Sequence, residues 1–187
     1  MKNISIACAL LLFSAVVNAG QTPEKSRKAI IIYYSLTNNT RTVAEFIRQN
    51  TGFAMEEIEL VQPYTAHYEE LVDQTRDELR RGYLPPLHPL KANLDEYDII
   101  FVGSPMWIYT LSLPVMSFLK ENDLSGKTVV PFCTRGTSPA DPLFDKVAEL
   151  CPNSRILRGF DITRGGYHDS LPALREWCAS IVAELNK

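Results

Sequence analysis

The sequence predicts a doubly wound α/β domain: a five-stranded parallel sheet in the order 2-1-3-4-5, with helices on both faces. Three observations predict it. Strand-like and helix-like segments alternate five times between Lys28 and Lys187. Two of the strand segments, "KAIIIYYS" (28–35) and "YDIIFVGS" (97–104), are unbroken apolar runs, the mark of strands buried on both faces. The helical segments carry start and stop signals, among them Pro114, Pro142, Gly52 and Gly82. Right-handed crossovers then leave few ways to arrange five strands.

In chain order, the first strand is followed by a helix over Thr40 to Asn50, with Val43, Ala44, Phe46 and Ile47 at helical spacing. "FAMEEIEL" (53–60) alternates and reads as a more exposed strand. "HYEELVDQTRDELRR" (67–81) is a charged helix, stopped by Gly82 and then by "PPLHP". After the second buried strand, Pro105 to Leu113 reads as a loop and "PVMSFLKEN" (114–122) as a short helix. "KTVVPFCT" (127–134) is a strand despite Pro131, which lacks a ladder donor. Asp141 is placed to cap "PLFDKVAEL". "RILRGFDI" (155–162) is the fifth strand, and Ser170 precedes the last amphipathic helix, "LPALREWCASIVAEL".

The ends and the reactive residues set the class. "MKNISIACALLLFSAVVNAG" has one Lys before an apolar run, then small or branched residues at Val17 and Ala19. This fits a secretory signal peptide over residues 1–19, cleaved after Ala19. Residues 20–27 read as a polar linker and 28–187 as one domain. The apolar run is short of the roughly 20 residues that span a bilayer, so the expectation is an exported, periplasmic protein without stable membrane insertion. No Arg-Arg pair precedes the run, so the chain is expected to cross unfolded and acquire any cofactor afterwards. The 187 residues carry a net charge of −3, and no basic run suits a nucleic acid. Beyond the leader lie Cys133, Cys151 and Cys178, an odd number without zinc or redox spacing. Core packing is expected, with one bridge open to them in an oxidising compartment. His67, His88 and His168 are scattered, and no Gly-x-Ser-x-Gly elbow appears.

The first strand ends in "SLTNNT", Ser35 to Thr40. In a doubly wound sheet, ligands sit beyond the carboxyl ends of the strands, at the switch point beside this loop. Ser35, Thr37 and Thr40 offer hydroxyls, and Asn38 and Asn39 offer amides. The helix behind them offers unpaired N–H groups and its positive dipole end. Together they form a phosphate cradle. No lysine stands in the loop, which excludes a Walker-type nucleotide loop. Ser, Thr and Asn also form ordinary caps and turns, so the hexamer alone leaves both readings open.

The hexamer is similar to the phosphate loop of the flavodoxin family, Ser/Thr-x-Thr-Gly-Asn-Thr, with Asn38 where glycine is usual. Asparagine tolerates the left-handed conformation that glycine would supply. The resemblance covers Lys28 to Leu185. It is strongest to a bacterial short-chain subgroup that shares "YDIIFVGSPMW", "PVMSFL", "GKTVVPFCT", "CPNSRIL" and a second crossover like "PYTAHYEELVDQTRDEL". It implies FMN as cofactor, enclosed by three loops. Ser35 to Thr40 would hold the phosphate. Pro105, Met106 and Trp107 would flank the ribityl chain and the ring, with Trp107 or Tyr109 stacked on it or else packed on a neighbouring loop. Thr134, Arg135, Gly136 and Thr137 would approach the pyrimidine end. Ile108 stands where the related proteins usually have a second Trp, and "TRGTSPAD" replaces a glycine- and serine-rich run. Both departures fall at the ring.

An FMN protein of this kind implies an electron carrier between redox partner proteins outside the cytoplasm. Two other readings stay open: an FMN-dependent NAD(P)H:quinone-type oxidoreductase, and a binding module whose flavin site has decayed. Arg135 is expected to raise the reduction potential if its guanidinium faces the ring, since positive charge favours uptake of an electron. As a solvent-facing loop residue it would have no such effect.

Overall fold

The computed structural model describes residues 27–185. The proposed leader and all but the last residue of the proposed linker lie outside the described residues.

Seven strands and five α-helices follow one another as β1 (Ala29–Tyr33), α1 (Asn39–Thr51), β2 (Ala54–Glu57), α2 (Tyr68–Arg81), β3 (Ile99–Trp107), β4 (Thr110–Leu111), α3 (Leu113–Glu121), β5 (Thr128–Arg135), α4 (Asp141–Leu150), β6 (Arg155–Ile156), β7 (Phe160–Thr163) and α5 (Tyr167–Leu185). The parallel sheet runs β2-β1-β3-β5, with β6 and β7 sharing the far edge of β5. This is the predicted order, with the fifth strand in two pieces.

Alternation along the central strands sorts their side chains between two cores. Ile30, Ile32, Ile100, Val102 and Val129 face α3 and α4. Ile31, Tyr33, Phe101, Val130 and Phe132 face α1 and α5. In register, Ile31 lies beside Phe101 and Phe101 beside Val130, so this second core is continuous across the sheet. Gly103 is required by packing. A Cβ there would stand 2.2 Å from Phe132 Cζ and 2.8 Å from Tyr33 Cβ. Alanine at 103 would therefore overpack the core at a cost of about 1–3 kcal/mol.

Several predicted boundaries move. "FAMEEIEL" pairs as a strand only over Ala54–Glu57, after which Leu60 forms an isolated bridge to Leu87. Asp141 is the first helical residue of α4 rather than its cap; Ala140 occupies the cap with no side-chain bond. The last helix begins at Tyr167, with Pro172 inside it. The predicted loop from 105 to 113 is instead a hairpin, with β3 running on to Trp107 and β4 returning antiparallel. The fifth strand breaks at Leu157–Gly159, where a Cβ on Gly159 would stand 2.6 Å from the Phe144 ring. Pro131 fits this break. Lys127 and Val129 turn their carbonyls toward Arg155 and Leu157, so Pro131 faces the same edge by alternation, at the gap between β6 and β7, where no donor is needed. Cys133, Cys151 and Cys178 are all free and buried. No described helix is long and apolar enough to cross a membrane.

Candidate functional site

The loops leaving β1, β3, β5 and β7 meet at the carboxyl end of the sheet around a cleft of about 610 Å³, well within the 300–1,000 Å³ typical of cofactor sites. Of the sequence-predicted residues, Ser35, Thr37, Asn39, Thr40, Pro105, Met106, Trp107, Thr134, Arg135 and Gly136 line it. Asn38, Tyr109 and Thr137 are outside its lining.

The first loop is built as an open cradle. Asn38 adopts φ 63° and reverses the chain into α1, so its contribution is backbone shape. Ser35 Oγ accepts from the Arg41 N–H at 3.2 Å, and the Asn39 amide donates to Thr37 Oγ1 at 3.1 Å. The N–H groups of Thr37, Asn38, Asn39 and Thr40 donate to no acceptor among the described residues. Four unpaired donors at a helix start, with the dipole behind them, suit an oxyanion such as a phosphate dianion. Arg41 points elsewhere. It pairs with Glu57, which also accepts from Tyr33 Oη at 3.3 Å, and this ties α1 to β2 beside the cradle. Burial and the Glu57 charge push the Tyr33 hydroxyl up to about 12.

The β3–β4 hairpin forms the second wall. Ser104 Oγ is fully buried, bonds to Ser112 Oγ at 3.0 Å and accepts from the Ser112 N–H at 3.1 Å, which pins the base of the hairpin. Trp107 is 9% exposed and packs edge-on against Tyr34 and Tyr64, with ring centroids 5.6 and 5.0 Å away. Tyr109, at the tip, is 69% exposed. The indole therefore belongs to an aromatic cluster whose surface borders the cleft, while the phenol stands clear of it.

At the third loop, the Arg135 Nε donates to Asp161 Oδ2 at 2.5 Å, and Nη1 donates to the Ser138 carbonyl at 3.0 Å. The guanidinium lines the cleft already paired. Beneath it, burial, reinforced by the Asp161 charge and partly offset by Arg135, pushes the Cys133 thiol up to about 12.

Two further walls escaped the sequence reading. The first turns of α2 contribute Tyr68, Leu71, Val72 and Thr75, and the β7–α5 turn contributes Arg164 and Tyr167. Thr75 Oγ1 is buried with no hydrogen-bond partner among the described residues, so this wall holds a polar atom that the protein does not satisfy. The signal for the β7–α5 wall was the topology itself, since the carboxyl ends of the parallel strands open at this rim. The signal for α2 was the resemblance of its crossover. No histidine, cysteine or carboxylate lines the cleft among the described residues.

A doubly wound sheet with uncharged donors gathered at its switch point defines an α/β protein of the class whose ligand cleft lies at the carboxyl ends of the strands. The comparisons narrow this. The model of a family described as flavodoxin matches residues 28–180, and the chain belongs to that family. A protein from Bacteroides eggerthii assigned as a flavoprotein is 26% identical, with a TM-score of 0.72 over 83% of this chain and 98% of its own. Its counterpart from Bacteroides uniformis is 24% identical, with a TM-score of 0.71 over 82% and 98%. A flavoprotein from Lactobacillus acidophilus, solved in complex with FMN, is 19% identical, with a TM-score of 0.66 over 78% and 99%. The last two likenesses speak for the fold. No curated protein matches the chain.

Proposed function

We propose that the cleft binds FMN and that the protein carries electrons between redox partner proteins outside the cytoplasm, after removal of residues 1–19. The observation that carries the reading is the run of N–H groups at Thr37–Thr40 with no acceptor among the described residues, three of whose residues, Thr37, Asn39 and Thr40, line the same cleft as the β3 and β5 loops. The bound isoalloxazine would supply one- and two-electron redox chemistry, and the protein would hold and tune it. Thr37, Asn39 and Thr40 would face the phosphate, with Asn38 shaping the turn. Pro105, Met106 and Trp107 would border the ribityl chain and ring. Arg135 and Gly136 would border the opposite side. Among the described residues no carboxylate lines the cleft, which fits a cradle made for a dianion, because a nearby like charge would oppose it. Family membership and the FMN complex of the Lactobacillus relative support the choice of cofactor.

Calorimetry of the mature chain with FMN and with riboflavin tests the reading. FMN should bind and turn the protein yellow, and riboflavin, lacking the phosphate, should bind far more weakly. Equal affinities would remove the cradle from the account, and no heat with FMN would end it. Rapid reduction of the bound flavin by NAD(P)H alone would move the assignment from carrier to oxidoreductase.

A further inference from the structure

Trp107, which borders the cleft, is in edge-on contact with two tyrosines, and they differ in one respect. The Tyr34 hydroxyl has no hydrogen-bond partner among the described residues. The Tyr64 hydroxyl donates to Glu78 Oε2 at 2.5 Å. Glu78 is 5% exposed, accepts from the Gln74 amide at 2.9 Å, and has no cation within ion-pair distance among the described residues. Burying a carboxylate without a counter-charge is costly, and two neutral donors compensate it only in part. As a bare anchor for α2, a glutamine could keep the Tyr64 bond through its one acceptor oxygen and meet Gln74 with its amide N–H. A carboxylate adds one capacity, that of taking the Tyr64 proton.

We infer that Trp107, Tyr64 and Glu78 form a relay that draws oxidising equivalents out of the cleft. A one-electron oxidant reaching the cleft removes an electron from Trp107 and leaves an indole cation radical. Tyr64 supplies the replacement electron, its O–H bond breaks, and the proton crosses the existing hydrogen bond to Glu78 Oε2. Trp107 returns to its neutral closed-shell form, Tyr64 becomes a neutral phenoxyl radical, and Glu78 becomes a neutral acid. The positive charge on the indole and the negative charge on the carboxylate disappear together. Tyr34 has no protein acceptor in place for its proton among the described residues, so it lacks the preformed path that Glu78 gives Tyr64. The relay goes beyond the flavin reading and stands without it, since all three residues belong to the protein.

Pulse radiolysis with azide radicals, which take single electrons from aromatic side chains, tests the relay on the mature chain without flavin. The indolyl band should decay as a phenoxyl band grows, at a rate independent of protein concentration and slowed in D₂O. Trp107→Phe and Tyr64→Phe should each abolish this phase. Trp177, on the opposite face, packs against Phe101 and Phe160, so its radical should not feed the phase. Glu78→Gln should slow the phase by about a hundredfold, the low end of what a positioned proton acceptor contributes. Tyr34→Phe should leave it unchanged. An unaltered rate in Glu78→Gln, no solvent isotope effect in the wild type, or phenoxyl growth that survives Tyr64→Phe would overturn the inference. Failure of FMN to bind would bear only on the flavin reading.

Discussion

Thr40 Oγ1 and Thr134 Oγ1 lie 2.8 Å apart, joining the loop after β1 to the end of β5 within the lining of the cleft. Thr40 is 1% exposed, so loss of its partner would leave a buried hydroxyl unsatisfied. Thr134→Val keeps the shape and removes the bond. It is expected to lower the stability of the flavin-free protein by about 1–2 kcal/mol, read as a shifted midpoint in urea unfolding. FMN affinity should fall with it, because the cradle loses its fixed distance from the opposite loop. Unchanged stability would mean that the two loops are held by packing alone.

The central architecture was legible because it rests on local pattern. "AIII" and "IIFV" have no plausible place except between two helical layers. The cradle was legible because six small polar residues stood between such a strand and a periodic helix. What was not legible depends on tertiary register. The Arg135–Asp161 pair arises because β5 and β7 run side by side with Cys133 opposite Asp161, and nothing in "TRGT" marks the partner. The split of the fifth strand follows from the Phe144 ring crossing Gly159 and from Pro131 on the neighbouring strand. The placement of α2 as a wall of the cleft depends on where a long crossover docks. The hairpin was hidden for a different reason: its turn residues are Ile108 and Tyr109, not the glycine or asparagine that announces such turns.

The Arg135–Asp161 pair changes what is expected of Arg135. Its positive charge reaches the cleft already balanced by a carboxylate, with side chains 19% and 31% exposed. In the FMN-loaded protein, Asp161→Asn should free the guanidinium and raise the reduction potential, since the remaining positive charge favours electron uptake. Arg135→Ala should lower it, since Asp161 would be left unpaired. Spectroelectrochemical titration of both variants checks this. Potentials that do not move, or that move in the same direction, would separate the pair from the ring.

Three buried thiols give the fold an alkaline limit. Burial pushes Cys151 and Cys178 from the ordinary 9.0 up to about 11, and Cys133 reaches about 12. Between those values the unfolded chain has released protons that the folded chain retains. The contribution is therefore fully present below pH 9 and is lost progressively as pH rises toward 12. Urea midpoints measured from pH 8 to pH 11 should fall steadily, and Cys133→Ser should flatten part of the slope. At neutral pH none of the three should react with a thiol reagent until the protein is unfolded, after which all three should.

The turn between β3 and β4 carries backbone strain at the lip of the cleft. Ile108 has φ 46° and Tyr109 φ 63°, the left-handed pair that a two-residue hairpin turn demands. For a β-branched residue this region is a true outlier, and the conformation costs about 1–2 kcal/mol in an ordinary side chain. Asparagine tolerates it. Ile108→Asn is therefore expected to raise stability by about 1 kcal/mol, equivalent to roughly 2–4 °C in Tm for a chain of this size. Glycine should gain less, because its freedom in the unfolded chain offsets part of the relief. Ile108 is half-buried and lines the cleft, so the same variants report on its second role. If Ile108→Asn stabilises the protein while weakening FMN binding, the isoleucine is retained for its contact with the ligand. If Ile108→Asn destabilises the protein instead, its packing outweighs the backbone strain and the turn is held by the side chain.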